Sequence, residues 1–88
     1  MSISIVVPTL NEAELIEYFL EHLRDRAPDA EIIVADAGSN DHTAELAVRL
    51  ADHVVQSERG RAVQMNAAAR VARGQVLWFV HVDSEVPW

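Results

Sequence analysis

Near its carboxyl end the chain reads Val-Leu-Trp-Phe-Val-His-Val-Asp-Ser over residues 76–84, an apolar run closing on an imidazole and a carboxylate. Side chains on a strand alternate faces, so His81 and Asp83 are expected to point the same way at the tip of a buried strand. Aspartate is a hard oxygen ligand for magnesium or manganese, and phosphate oxygens commonly complete the shell of such an ion. The pair therefore reads as a metal or phosphate site at the carboxyl end of a parallel sheet, where open α/β folds usually hold ligands. Two plainer readings stand beside it: Asp83 with Ser84 opens the next turn, and His81 is a neutral ring held by the backbone.

Three further segments carry suitable groups. Residues 36–43, Asp-Ala-Gly-Ser-Asn-Asp-His-Thr, join a strand end to a helix start. Gly38 permits a tight bend, while the Ser39 hydroxyl and the amides of a helix N-terminus can take anionic or polar groups. Asp36, at the strand tip, can accept hydrogen bonds from a ribose or a base, though Ser39, Asn40 and Asp41 also suit plain helix caps. Pro8-Thr9-Leu10-Asn11-Glu12 occupies the matching tip of the first strand. A proline stop and an Asn11 cap with Glu14 in a capping box explain most of that segment and leave Thr9 unexplained. Residues 57–61 place Arg59 and Arg61 near a helix start, which suits a diphosphate or a merely solvated loop. His22, His42 and His53 show no metal-ligand spacing.

Behind these groups the expected elements alternate. Residues 3–7 form a β-rich first strand ending at Pro8, and Asn11 caps a helix with Leu15, Ile16, Phe19, Leu20 and Leu23 on one stripe, closed by Pro28. Residues 31–36 read as a buried second strand, residues 43–50 as a helix facing inward through Leu46, Ala47, Leu50 and Ala51, and Val54 and Val55 as a third strand. Residues 61–73 favour a helix with Met65, Ala69 and Ala72 as its inner face and Gly74 after it. The order βαβαβαβ predicts an open parallel sheet of four strands with right-handed crossovers and helices on both faces. Only four residues follow Ser84, so the chain reads as cut short after its fourth strand. Trp78, Phe79, Val80 and Trp88 are then expected to form an exposed edge through which the chain self-associates.

The composition fits one domain. The chain has 88 residues, half of them hydrophobic and 24% charged, as in a globular fold. A formal charge of −7 argues against sequence-independent binding to nucleic acid. There is no cysteine, hence neither a disulfide frame nor a thiolate metal site, which accords with a cytoplasmic setting. No apolar run approaches the ~20 residues that span a bilayer, so no transmembrane segment is expected in this chain.

Taken together, Val-Val-Pro-Thr-Leu-Asn-Glu at 6–12, Ile-Ile-Val-Ala-Asp-Ala-Gly-Ser-Asn-Asp-His-Thr at 32–43, Gly-Arg-Ala-Val-Gln-Met-Asn-Ala-Ala at 60–68 and His-Val-Asp-Ser at 81–84 resemble glycosyltransferase family 2. The resemblance covers nearly the whole chain. It implies strand order 3-2-1-4 and the nucleotide-binding half of a GT-A fold, residues 1–88 binding a UDP- or GDP-type nucleotide-diphosphate sugar. It implies further that Pro8, Thr9, Asn11, Glu12, Asp36, Gly38, Ser39 and His81 border the nucleotide, and that Arg61 and Asn66 lie near the diphosphate or sugar. Asp83 matches the last aspartate of the family's DxD motif and would engage a divalent metal, manganese or magnesium. Ala37 stands where the family often has a second aspartate, and His81 replaces the first aspartate of DxD, as in a bacterial subset. The implied reaction is metal-assisted, inverting transfer of a sugar to an acceptor hydroxyl, with the general base beyond residue 88 and the 88 residues alone inactive. In the full protein, membrane association would join a cytoplasmic setting. The competing reading is a non-catalytic nucleotide-binding or interaction module. A nucleotidyltransferase would need a glycine-rich loop with a reactive basic residue after the first strand, and none is present.

Overall fold

Four apolar runs become the strands of one parallel sheet in the computed structural model, which describes residues 2–82. The elements are β1 (Ile3–Thr9), α1 (Ile16–Arg26), β2 (Glu31–Asp36), α2 (Thr43–Ala47), β3 (His53–Gln56), α3 (Arg61–Ala69) and β4 (Val76–Phe79). The sheet order is β3-β2-β1-β4, as expected. All three strand pairs are parallel, and β1 meets β2 from Ser4 opposite Glu31 to Thr9 opposite Asp36. Central β1 and β2 are buried on both faces, which is why both read as almost unbroken apolar runs.

Helices cover both faces. Ile16, Phe19, Leu20 and Leu23 of α1, with Ala47 of α2, pack on Ile5, Val7, Ile32 and Val34. Burying each large aliphatic side chain here contributes about 1.5–3 kcal/mol. On the other face α3 lays Ala68, with Ala72 beyond it, against Val6, Ile33, Ala35 and Val55. Among the described residues no helix is long and apolar enough to cross a membrane.

Several expectations need correction. Pro8 does not end β1: it pairs with Ala35 inside the strand. The Val6 carbonyl accepts from the Val80 amide, so Pro8, two residues on, turns its nitrogen to the same side, past the last residue of β4, where no ladder bond is required. Asn11 does not cap α1. The helix begins at Ile16 with no side-chain cap, and Asn11 sits at φ 55°, in the left-handed region. The inner face of α3 is Gln64 and Ala68 rather than Met65 and Ala69, and α2 is shorter than residues 43–50.

β4 departs furthest. It stops at Phe79, and its four residues are 37–45% exposed because it is the outer strand of the sheet. Val80 and Val82 turn into the α1-side core instead of joining the exposed edge. The strand alternation expected to aim His81 therefore ends before that residue. Asp83 and Trp88 lie outside the described residues.

Candidate functional site

Thr9 and Asp36 are the last paired residues of β1 and β2, so the sheet delivers both to its carboxyl edge. Asp36 is 1% exposed. A buried carboxylate needs several donors, and its Oδ1 accepts from the Thr9 hydroxyl at 2.8 Å and the Ser39 hydroxyl at 2.6 Å. Its Oδ2 accepts from the Ser39 amide at 2.8 Å. Gly38, at φ 76°, makes the bend that brings Ser39 back over Asp36.

The loops after β1 and β2 are bonded to each other throughout. The Asn11 amide donates to the Ser39 hydroxyl at 2.8 Å, and Asn11 Oδ1 accepts from the Asn40 amide at 3.1 Å. The Glu12 amide donates to the Thr43 hydroxyl at 2.8 Å, and the Ala13 amide to Asp41 at 3.1 Å. The Thr43 hydroxyl holds the Asp41 carboxyl below its ordinary range; burial opposes this, and the Ala13 and Thr43 amides reinforce it. A cleft of about 240 Å³ opens beside the loops, lined by Asn11, Glu12, Glu14, Leu15 and Asp41. Thr9, Asn11, Glu12, Asp36 and Ser39 are thus gathered into one bonded cluster, with Pro8 buried beneath and Gly38 on the exposed bend.

α3 supplies the positive charge at this edge. It starts at Gly60 with no side-chain cap, and Arg59, Arg61 and Asn66 are exposed. Uncapped amides and guanidiniums at a helix start favour anions. A residue the sequence did not single out fastens α3 here: Gln64 Nε2 donates to the carbonyls of Thr9 at 3.1 Å and Ala35 at 2.9 Å. Its signal was the spacing Gln64, Ala68, Ala72, a helical row ending in a polar group.

His81 is half-buried just past β4. Among the described residues no three His, Asp or Glu side chains are placed to hold a metal. Asp83, the residue expected to engage a metal, lies outside those residues.

A cleft of about 470 Å³ lies at the opposite, amino edge, lined by Arg24, Pro28, Asp29, Ala30, Glu31, Asp52, His53 and Arg73. Its charges are largely satisfied internally. Arg24 pairs with Asp52 at 2.9 Å and donates to the Ala30 carbonyl at 2.8 Å, while His53 lies 3.3 Å from Glu31. At the carboxyl edge, by contrast, Arg59 and Arg61 are exposed beside the bonded loop cluster.

The sheet order and the helices on both faces define a doubly wound α/β fold, which its likeness to solved glycosyltransferases makes one of GT-A type. The model of glycosyl transferase family 2 matches residues 4–87, and the chain belongs to that family. It is 49% identical over 49 residues to the succinoglycan biosynthesis protein ExoA of Rhizobium meliloti, an alignment covering 53% of this chain and 15% of ExoA. It resembles the mannosyltransferase PcManGT of Pyrobaculum calidifontis, solved with GDP-Man and Mn2+, at TM-score 0.86 and 32% identity, over 98% of this chain and 28% of that one. It also resembles the glucosyl-3-phosphoglycerate synthase of Mycobacterium tuberculosis, solved with Mn2+, UDP-glucose and phosphoglyceric acid, at TM-score 0.79 and 26% identity, over 93% of this chain and 33% of that one. The chain thus spans a third or less of the length of each.

Proposed function

We propose that these residues are the donor-binding part of a glycosyltransferase, taking a uridine or guanosine diphosphate sugar at the carboxyl edge of the sheet. The observation that carries the reading is the bonding of the β1 and β2 loops through Asp36, Ser39, Asn11 and Asp41. Loops fixed in advance lose little entropy when a ligand docks. The GDP-Man and UDP-glucose bound by the two structural relatives support the same ligand class here.

In this reading Pro8, Thr9, Asn11, Glu12, Gly38 and Ser39 border the nucleoside, and Asp36 acts by holding Thr9 and Ser39 in place. Arg61 and Asn66 lie toward the diphosphate and sugar, with His81 beside the nucleotide. A manganese or magnesium ion, when held by Asp83, would supply counter-charge to the departing diphosphate. The full protein would carry out inverting transfer: an acceptor hydroxyl, deprotonated by a base outside these residues, displaces the nucleoside diphosphate from the anomeric carbon. Self-association through the exposed β4 edge belongs to the same proposal.

Titration calorimetry with UDP and GDP, with and without manganese, tests it. Binding of one of them that strengthens with manganese, and loses that increment in Asp83→Ala, is the expected result. Absence of binding by either nucleotide at millimolar concentration overturns the donor-site reading. Equal affinity after chelation removes Asp83 from it.

A further inference from the structure

We infer that Gln64 is a positioning residue of the donor site, setting where α3 presents Arg61; the inference rests on the donor-binding reading above. Gln64 and Ala68 are the two buried residues of α3, and Gln64 is 8% exposed. Burying a carboxamide is unfavourable unless its donors find acceptors. Both hydrogens of Nε2 do, on the carbonyls of Thr9 and Ala35.

Those two acceptors mark the place where β1 and β2 part. Thr9 pairs with Asp36 as the last rung, and the Thr9 carbonyl also receives the Ala37 amide at 3.0 Å. One side chain thus joins α3 to the tips of both central strands, directly behind the bonded loop cluster.

The apolar contact alone would hold α3 less firmly. Ala68 and Ala72 present only methyl groups to Val6, Ile33, Ala35 and Val55. Small smooth contacts restrain sliding and rotation of a helix weakly, whereas two directional hydrogen bonds fix both. Arg61 precedes Gln64 by three residues, and positions three apart share one side of a helix. Fixing Gln64 therefore fixes the origin of the Arg61 side chain relative to Thr9, Asp36 and Ser39. A methionine at position 64 would keep the volume and lose both bonds, leaving the helix anchored by its alanines.

The inference predicts coupling between residues 64 and 61, which a purely structural glutamine would not show. UDP and GDP affinities would be measured for the wild-type chain, Gln64→Met, Arg61→Ala and the double variant, with circular dichroism reporting fold. Gln64→Met is expected to weaken binding about five- to tenfold in the wild-type background and less than about twofold when Arg61 is already alanine. Unchanged affinity in Gln64→Met, no effect of Arg61→Ala, or the same loss in both backgrounds overturns the inference. Should Gln64→Met fail to fold, Gln64→Asn decides, because its shorter amide reaches one carbonyl at best. A smaller loss that vanishes with Arg61→Ala supports the role, and an unchanged or additive effect refutes it. A wild-type chain that binds neither nucleotide refutes the donor-site reading itself.

Discussion

The Thr9 hydroxyl donates to Asp36 Oδ1 over 2.8 Å, joining side chains 27 residues apart at the last rung between β1 and β2. Asp36 is therefore a keystone of the loop cluster, since the same oxygen also takes the Ser39 hydroxyl and its partner oxygen the Ser39 amide.

Asp36→Asn should destabilise the fold. An amide offers one acceptor where the carboxylate offers two, so either the Ser39 amide or the two hydroxyls meet a donor. The expected cost is about 1–3 kcal/mol in urea denaturation, with Thr9→Val, which removes one hydroxyl, costing less. A variant as stable as wild type would show that the cluster rearranges freely.

Two glycines should respond to alanine for different reasons. A Cβ at Gly74 would meet Ser4 Oγ at 2.5 Å, the Ser4 amide nitrogen at 2.6 Å and the Ile3 carbonyl carbon at 2.8 Å. Two of these are backbone atoms of β1, so the turn into β4 must move away, at about 1–3 kcal/mol. At Gly38 there is open space but φ is +76°, so the penalty is conformational, about 1–2 kcal/mol. Hydrogen exchange separates them: Gly74→Ala should deprotect the Val80 amide, whereas Gly38→Ala should spare it.

The four parallel strands were legible because each is a short apolar run between turn residues in βαβ alternation, while their order came with the family resemblance, since crossover handedness alone does not fix it. Asn11 misled because a capping motif is read from local spacing, while its backbone is set by Ser39 and Asn40, 28 and 29 residues away. Gln64 escaped for a related reason. In an alanine-rich helix a lone glutamine looks solvated, and the helical row it shares with Ala68 and Ala72 does not name its partners, the carbonyls of Thr9 and Ala35, 55 and 29 residues distant. The apolar composition of β4 reads as that of a buried strand, yet at the outer position expected for it the four residues stay 37–45% exposed. Its exposed side chains are a property of what packs beside it, which local sequence does not encode.

That edge gives a prediction of its own. Trp78 shares the α1 face with Ile5 and Phe79 the α3 face with Val6, and at 45% and 43% exposure both faces of β4 are only partly covered among the described residues. Such an apolar outer strand invites pairing, and a lysine there discourages it. Sedimentation of the 88-residue chain should show mass rising with concentration, less so in Phe79→Lys. A monomer at every concentration would count against association through β4.

Stability should fall in acid through Glu31, which ties the start of β4 to β1 and β2. Its Oε1 accepts from the Arg73 amide and the Ser4 hydroxyl, both at 2.8 Å, while the Ser4 oxygen accepts from the Gly74 amide. The Arg73 amide, helped by Ser4 and by nearby His53 and opposed by burial, holds the Glu31 carboxyl below its ordinary value of 4.5. A carboxyl with a lowered folded value favours the ionised form in the fold, so its contribution is complete above about pH 4.5 and disappears as pH drops through the lower folded value. Glu31→Gln keeps an acceptor and loses the charge, with an expected cost of about 1–2 kcal/mol at pH 7. The gap between wild type and variant should then close below pH 4.5. Asp41 and Asp52 also have lowered values and will steepen the acid limb of both proteins alike, so the difference curve is the measurement to read. A gap that stays constant from pH 7 to pH 3 would mean that Glu31 acts through its shape rather than its charge.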